Sequence, residues 1–282
     1  MTYLFVGGAA RTGTTLLNGI LCNDPDTNPF IAEANYFAYV LSTYHRGKYV
    51  WQVEGDAYFD DLGDYAEFSK PWVEAFLERT ARRYAPAQHL ILKSPELTKY
   101  FPDLFELVSD VKFLILLRDP RDSIASLLQV GQKLKRRAEN PTLVKMLETS
   151  DMVALCQFFK SYYQPCHRCD SEAFWHRTRY VKYEGLVQHP TAAIEQLEAF
   201  TGLSLKQFDP HQTWQRSYLD FDRLPERYQP WWSTQLYGKG ISTASVGRYR
   251  QILSDEQIQI IERECADYFA LAGYTPHLHA PQ

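Results

Sequence analysis

The segment of this chain best equipped for chemistry is Gly8-Ala9-Ala10-Arg11-Thr12-Gly13-Thr14-Thr15. Its glycines permit a tight turn in which successive backbone N–H groups point into one concavity. A β-rich run, Tyr3 to Val6, precedes it, and a helical pattern with Leu16, Leu17, Ile20 and Leu21 on one face follows. A strand that ends in such a loop and opens a helix adds the positive end of the helix dipole, which makes a phosphate cradle. The spacing is that of a nucleoside-triphosphate loop, but Thr14 stands where that motif has the Lys that reaches the β and γ phosphates. This argues against ATP or GTP hydrolysis. Arg11 sits inside the loop instead, with the hydroxyls of Thr14 and Thr15 beside it. The plainer alternative is a turn that only joins strand to helix.

A second basic site is Leu117-Arg118-Asp119-Pro120-Arg121-Asp122-Ser123-Ile124-Ala125-Ser126. Arg118 ends the apolar run Val111 to Leu117, and open α/β sheets bind ligands beyond the carboxyl ends of their strands. Ser126 lies about two helical turns further on, so it can face the same way as the start of that helix. An arginine and a hydroxyl converging there suit a second, separate phosphate group. The alternative is a surface cluster of salt bridges among Arg118, Asp119, Arg121 and Asp122.

The elements that must position these groups are legible from periodicity. Strands are expected at Tyr3–Val6, Leu90–Leu92, Val111–Leu117 and Arg179–Tyr183. The third is nearly continuous in apolar residues, as in a strand buried on both faces of a parallel sheet. The helix from Thr14 is expected to stop at Asn23-Asp24-Pro25. Another follows Pro190 and ends at Gly202. A third starts at a capping box, Ser254 with Gln257, and a hydrophobic staple, Leu253 with Ile258. Its apolar stripe runs Ile258, Ile261, Cys265, Tyr268, Ala272. Strands alternating with helices indicate an α/β fold. The expectation is a three-layer, P-loop-like arrangement with a central, mainly parallel sheet flanked by helices. Residues 1–282 are read as one domain, with helical insertions around 36–88 and 130–175 and a C-terminal lid and helix segment at 210–275.

Composition narrows the function classes. The 282 residues carry 30 Lys and Arg against 34 Asp and Glu, a net charge of −4, the wrong sign for sequence-independent nucleic-acid binding. No stretch approaches the ~20 apolar residues of a membrane span, and the first residues do not read as a signal peptide. Five scattered cysteines suit a reducing, cytoplasmic compartment. Cys166-His167-Arg168-Cys169, even with His176 nearby, is too weak a pattern for a metal site, so none is expected.

The two basic sites together describe a nucleotide with two separate phosphate groups, and here the sequence resembles sulfotransferases that use 3′-phosphoadenosine-5′-phosphosulfate. Arg11-Thr12-Gly13-Thr14-Thr15 looks like their 5′-phosphosulfate loop, and Arg118 to Ser126 like their 3′-phosphate site. Tyr183-Glu184-Gly185-Leu186 with His189-Pro190 is similar to the family's Tyr-Glu-x-Leu segment. Val246-Gly247-Arg248-Tyr249-Arg250 is similar to the C-terminal Gly-Arg-Trp segment of bacterial and carbohydrate members. Cytosolic hormone-type members carry a histidine two residues after the lysine comparable to Lys93. Here that position is Pro95, so the resemblance lies with the bacterial and tyrosylprotein-like members.

The resemblance implies roles. Arg11 and Lys93 would hold the phosphosulfate. Thr12, Gly13, Thr14, Thr15, Arg118, Ser126, Tyr183, Gly247 and Arg248 would complete the donor site, with Ser245 beside them. Glu33 stands near the interval at which tyrosylprotein and many bacterial members keep a glutamate, and is the first choice of base. Glu96 comes next, then Asp56 and His45. Tyr36 and Phe37 in one stretch and Trp231 in another are read as acceptor-side residues, because aromatic residues crowd both 36–59 and 214–249, and Glu96 joins them as a neighbour of Lys93. The function implied is sulfuryl transfer, by in-line displacement and without a metal, to a hydroxyl or amine of a small molecule, free or bound to a carrier in a biosynthetic pathway. The product nucleotide would be adenosine 3′,5′-bisphosphate. A P-loop kinase-like phosphotransferase and a non-catalytic nucleotide-binding module are the alternatives.

Overall fold

Side chains alternate across a strand, so a strand with apolar residues at every position needs a layer on each face. The computed structural model, which describes residues 1–134, 141–205, 208–220 and 239–276, shows those layers. Among the described residues the strands are β1 (Thr2–Gly8), β2 (His89–Lys93), β3 (Val111–Leu117) and β4 (Thr178–Lys182). They form one parallel sheet in the order β2-β1-β3-β4, with Val6 opposite Lys93 and Gly8 opposite Leu116.

One face of the sheet presents Leu4, Val6, Ile91, Leu114 and Leu116 to α1 (Thr14–Leu21), α10 (Tyr183–Gln188) and α11 (Pro190–Thr201), where Leu17, Ile20, Leu186 and Leu197 meet them. The other face presents Phe5, Leu90, Leu92, Phe113 and Ile115 to a larger helical layer. That layer holds α2 (Asn35–Glu54), α3 (Leu62–Arg83), α4 (Phe101–Leu107), α5 (Pro120–Leu134), α6 (Pro141–Thr149), α7 (Met152–Ser161), α8 (Gln164–His167) and α9 (Glu172–His176). Two C-terminal helices, α12 (Asp255–Glu264) and α13 (Ala266–Ala272), join it. Each fully buried Leu or Ile here contributes about 1.5–3 kcal/mol relative to an exposed one. No helix among the described residues is long and apolar enough to cross a membrane.

The local signals hold with small differences. Asn23 Nδ2 caps the end of α1 by donating to the Gly19 and Ile20 carbonyls at 2.7 and 3.3 Å. Gly202 closes α11 at φ 82°, and Ser254 and Gln257 form the capping box in both directions. The last stripe is buried as expected, but the backbone leaves helical geometry at Cys265 (φ −107°, ψ 19°), giving two helices instead of one. Tyr183, expected at the end of β4, opens α10.

The strand order locates the site. From β1 the chain crosses to β2 on one side, whereas from β3 it continues to β4 on the other. The carboxyl ends of β1 and β3 therefore flank the point where the winding reverses, the crevice in which such sheets bind ligands. The Gly8–Gly13 loop and Arg118 lie at those two ends.

Candidate active site

The loop after β1 is folded by its own residues and by long-range clamps. Thr12 is fully buried and turns its hydroxyl inward to the Ala9 carbonyl at 2.7 Å. Thr98, in the 3₁₀ turn Pro95–Tyr100, accepts from Gly8 N–H at 2.6 Å. That contact needs Gly7, since a Cβ there would come within 2.4 Å of Thr98 Oγ1. Gly13 takes φ 99° as the cap of α1, and a Cβ would strike the Tyr183 ring at 2.5 Å. Arg11 holds φ 70°, a conformation uncommon for a residue with a side chain. No side chain caps the N-terminus of α1, so its first N–H groups face the concavity with the positive end of the helix dipole.

The two basic sites adjoin. Arg118 donates through Nη1 to the Arg11 carbonyl at 2.8 Å and through Nη2 to the Ser245 carbonyl at 2.7 Å. Arg11 Nε donates to Ser126 Oγ at 3.2 Å. The Arg118 guanidinium also lies over the Tyr183 ring at 4.3 Å, and Tyr183 Oη is 2.6 Å from Ser245 Oγ. Arg118 is buried, and its Nε has no hydrogen-bond partner, an orphaned donor of the kind an anionic oxygen satisfies. The alternative, a surface salt-bridge cluster, is not what forms. Arg121 pairs with Asp119 at 2.7 Å and Glu262 at 2.5 Å, with Arg121 and Asp119 buried and Glu262 half-buried, and Arg118 takes no part. Asp122 instead accepts from the backbone N–H groups of Gly247 and Tyr249 at 2.7 and 2.9 Å. Burial pushes its carboxyl above the usual range, while those two N–H groups pull it back. Gly247 thus acts through its backbone (φ 71°), and Arg248 is exposed at the rim.

Lys93 ends β2 with its side chain fully buried. Its Nζ donates to Glu33 Oε1 at 2.5 Å and to Thr15 Oγ1 at 3.1 Å. Thr14 is buried beside Thr15 at the start of α1. Ala34 N–H donates to the Lys93 carbonyl at 2.9 Å and Ser94 Oγ to Asn35 Oδ1 at 2.7 Å, which ties the start of α2 to the end of β2 and places Glu33. Glu96 is occupied otherwise: Tyr162 Oη donates to one oxygen and Lys99 Nζ to the other, both at 2.7 Å. His45 pairs with Asp103 at 2.8 Å, and Asp56 sits exposed in a 3₁₀ turn, Gly55–Ala57.

The acceptor-side aromatics separate. Tyr36 is exposed and faces an open groove of about 860 Å³ between α2 and α3. Phe37, expected on a pocket wall, is instead a core residue. It is fully buried, stacked on Phe76 at 4.5 Å and Phe5 at 6.0 Å, because the next position on a helix turns by about 100° and faces the sheet. Trp231 lies outside the described residues.

Sequence reading missed Tyr163 and Tyr268. Tyr163 Oη accepts from Ala9 N–H at 3.1 Å and donates to the Leu116 carbonyl at 3.0 Å, bridging the ends of β1 and β3. Tyr268 Oη accepts from Arg118 N–H at 3.2 Å and donates to its carbonyl at 3.3 Å. Burial pushes Tyr163 up to about 12 and Tyr268 well above its ordinary value, so both phenols stay neutral donors. In the sequence they are two tyrosines among 19, with no local signal to mark them.

Known proteins resemble this chain. The profile of the sulfotransferase family matches residues 4–207. Protein-tyrosine sulfotransferase 1 of Danio rerio is 24% identical over 302 residues, spanning 100% of this chain and 74% of that protein. Protein-tyrosine sulfotransferase 1 of Homo sapiens is 30% identical over 131 residues, 45% of this chain and 34% of that protein. Among solved structures, the sulfotransferase domain from the curacin biosynthetic pathway superposes with a TM-score of 0.55 at 16% identity, over 95% of this chain and 97% of that one. The sulfotransferase domain of the Synechococcus PCC 7002 olefin synthase gives 0.52 at 19% identity, over 93% of each chain. These two likenesses concern the fold.

Proposed function

This chain belongs to the sulfotransferase family, and from that premise we propose that it moves a sulfuryl group from 3′-phosphoadenosine-5′-phosphosulfate to a hydroxyl or amine of a small-molecule acceptor, free or carried by another protein, with Glu33 as the base. The observation that carries the reading is the contact of the buried Lys93 ammonium with both Glu33 Oε1 and Thr15 Oγ1. It joins a cation, a carboxylate and the hydroxyl at the mouth of the phosphate cradle in one place.

The donor supplies an activated sulfuryl group and a phosphate leaving group. Arg11, Thr14, Thr15 and the first N–H groups of α1 would hold its 5′ end. Arg118, with its unsatisfied Nε, and Ser126 would hold the 3′-phosphate. Tyr183, Ser245 and Gly247 shape that side, and Arg248 closes its rim. Lys93 stabilises negative charge as it grows on the leaving oxygen, a role that rewards a preorganised cation in a site shielded from water. Glu33 removes the acceptor's proton. Its side chain is 31% exposed, so an acceptor can reach it while Lys93 stays buried. No metal is assigned. The groove volume lies within the range of small-molecule sites, which supports an acceptor of that size. Residues 1–282 are taken as one catalytic domain in a reducing, cytoplasmic compartment, for which the five unpaired cysteines are the support.

Calorimetry with adenosine 3′,5′-bisphosphate against ATP tests the reading. Tight binding of the bisphosphate is expected. Tight binding of ATP with none of the bisphosphate would overturn it in favour of a kinase.

A further inference from the structure

The groove between α2 and α3 is lined by aromatic and small uncharged side chains, and its charged lining residues are all arginines. Trp72, Phe76, Arg79 and Arg83 recur along α3 at three- and four-residue spacing, so they share one face. With Arg82 and with Tyr36 of α2 they line the groove, and no carboxylate lines it. Three arginines gathered in a chain of net charge −4 make a local field that the whole protein does not have. Arg82 is drawn to Glu78 at 3.4 Å, and Arg83 reaches Tyr84 and Tyr218. Arg79 is exposed and has no hydrogen-bond or ion-pair partner among the described residues. The apolar floor is fixed, because Phe76 stacks on Phe37, which stacks on Phe5 of the sheet.

Both ends of this groove adjoin the segment 30–36, which contains Glu33. Tyr36 is in the first turn of α2, three residues after Glu33, in the corner that the Ala34–Lys93 and Ser94–Asn35 hydrogen bonds hold. At the other end Arg83 reaches Tyr218, whose backbone N–H donates to the Phe30 carbonyl at 2.8 Å. The segment that delivers the carboxylate therefore runs beside the groove.

We propose that the groove binds the non-reacting end of the acceptor, and that this end carries an anionic oxygen group, a carboxylate or a phosphate, held by Arg79 and Arg83. The acceptor's apolar body lies against Tyr36, Trp72 and Phe76. Planar guanidinium groups match such oxygens in pairs of hydrogen bonds, and Trp72 and Tyr36 offer faces to an aromatic body. The proposal rests on the reading of Glu33 as the base, since that places the acceptor here.

The test measures binding of four phenols to the full-length protein in the presence of adenosine 3′,5′-bisphosphate. Two are anionic, 3-(4-hydroxyphenyl)propionate and 2-(4-hydroxyphenyl)ethyl phosphate. One, 4-ethylphenol, is neutral, and one, tyramine, is cationic. Quenching of Trp72 fluorescence, identified by its loss in Trp72→Phe, reports occupancy of the groove. The anionic phenols should bind about tenfold tighter than the other two, and added salt should shrink the difference. The stronger of the two anionic ligands identifies carboxylate or phosphate. Arg79→Gln with Arg83→Gln should abolish the preference, whereas Arg79→Lys with Arg83→Lys should keep part of it. A thermal melt confirms that each variant folds. Equal binding of all four phenols, no binding of any, a preference that survives the double Gln variant, or binding confined to an acidic tyrosine peptide would each overturn the proposal. Bisphosphate affinity, measured separately, distinguishes the two failures. If it is absent while the charge preference persists, the donor reading falls and the groove stands.

Discussion

Lys93 Nζ and Glu33 Oε1 lie 2.5 Å apart, with the lysine side chain wholly buried and the glutamate about one third exposed. The ammonium is locked between α1 and the carboxylate, and only the carboxylate is open to solvent.

Glu33→Gln keeps the hydrogen bond from Lys93 and removes the base. Sulfuryl transfer should fall by about 10²- to 10⁴-fold in kcat, with bisphosphate affinity unchanged. Lys93→Met should lower kcat comparably and also weaken donor binding. Steady-state kinetics and calorimetry on the two variants check both halves, and an active Glu33→Gln enzyme would remove Glu33 from the mechanism.

Arg118→Ala takes away a charged donor with an unsatisfied Nε and two backbone bridges. Hydrogen bonds to charged groups contribute about 1.5–3 kcal/mol, so affinity for adenosine 3′,5′-bisphosphate should drop by roughly 10- to 100-fold. Affinity for adenosine 5′-phosphosulfate, which lacks the 3′-phosphate, should drop far less. Equal losses for the two ligands would mean that Arg118 only supports the loop.

Tyr163→Phe leaves the Ala9 N–H and the Leu116 carbonyl buried without their partner, and Tyr268→Phe does the same to both backbone groups of Arg118. Each variant should lose about 1–3 kcal/mol in urea unfolding. Because the stranded groups belong to the two proposed phosphate sites, bisphosphate affinity should fall as well. A stability loss with unchanged affinity would make the two tyrosines supports of the core alone.

Burial pushes the His167 imidazole below its ordinary value, against a smaller upward pull from Asp267. The unfolded chain, with a pKa of about 6.5, therefore binds a proton before the folded chain does. Stability from this group is complete above that value and is lost as pH falls from about 6.5 through the lower folded pKa. The melting temperature should decline over that window, and His167→Gln should flatten the decline. An equally steep decline in the variant would assign it to other groups.

Much of the scaffold was legible because its signals are local. Glycines and hydroxyls between a strand and a helix announced the cradle. The doubly apolar run Val111–Leu117 announced a strand covered on both faces, and Ser254 with Gln257 announced a helix start. Each depends on residues a few positions apart, where backbone geometry leaves little choice. Arg11, Arg118 and Lys93 followed as strand-end and loop cations.

Distance in sequence hid the rest. Tyr163 and Tyr268 reach the phosphate loops from 154 and 150 residues away, so no pattern near Ala9 or Arg118 points to them. Tyr36 and Phe37 are neighbours of the same aromatic type, yet one is exposed at the groove and the other fills the core. Composition treats them alike, and only the rotation of α2 against the sheet separates them. Glu33 and Lys93 could be nominated from the chain, but their contact across 60 residues is made by the parallel crossover that brings β2 beside β1. The sequence by itself determined the glycine-bearing loop between β1 and α1 and the strand–helix alternation, since these are set by short-range backbone sterics and periodicity. Tertiary packing decided which carboxylate meets the lysine, which aromatic faces solvent and which tyrosines anchor the site, because those depend on faces and strand ends that meet only when the sheet assembles.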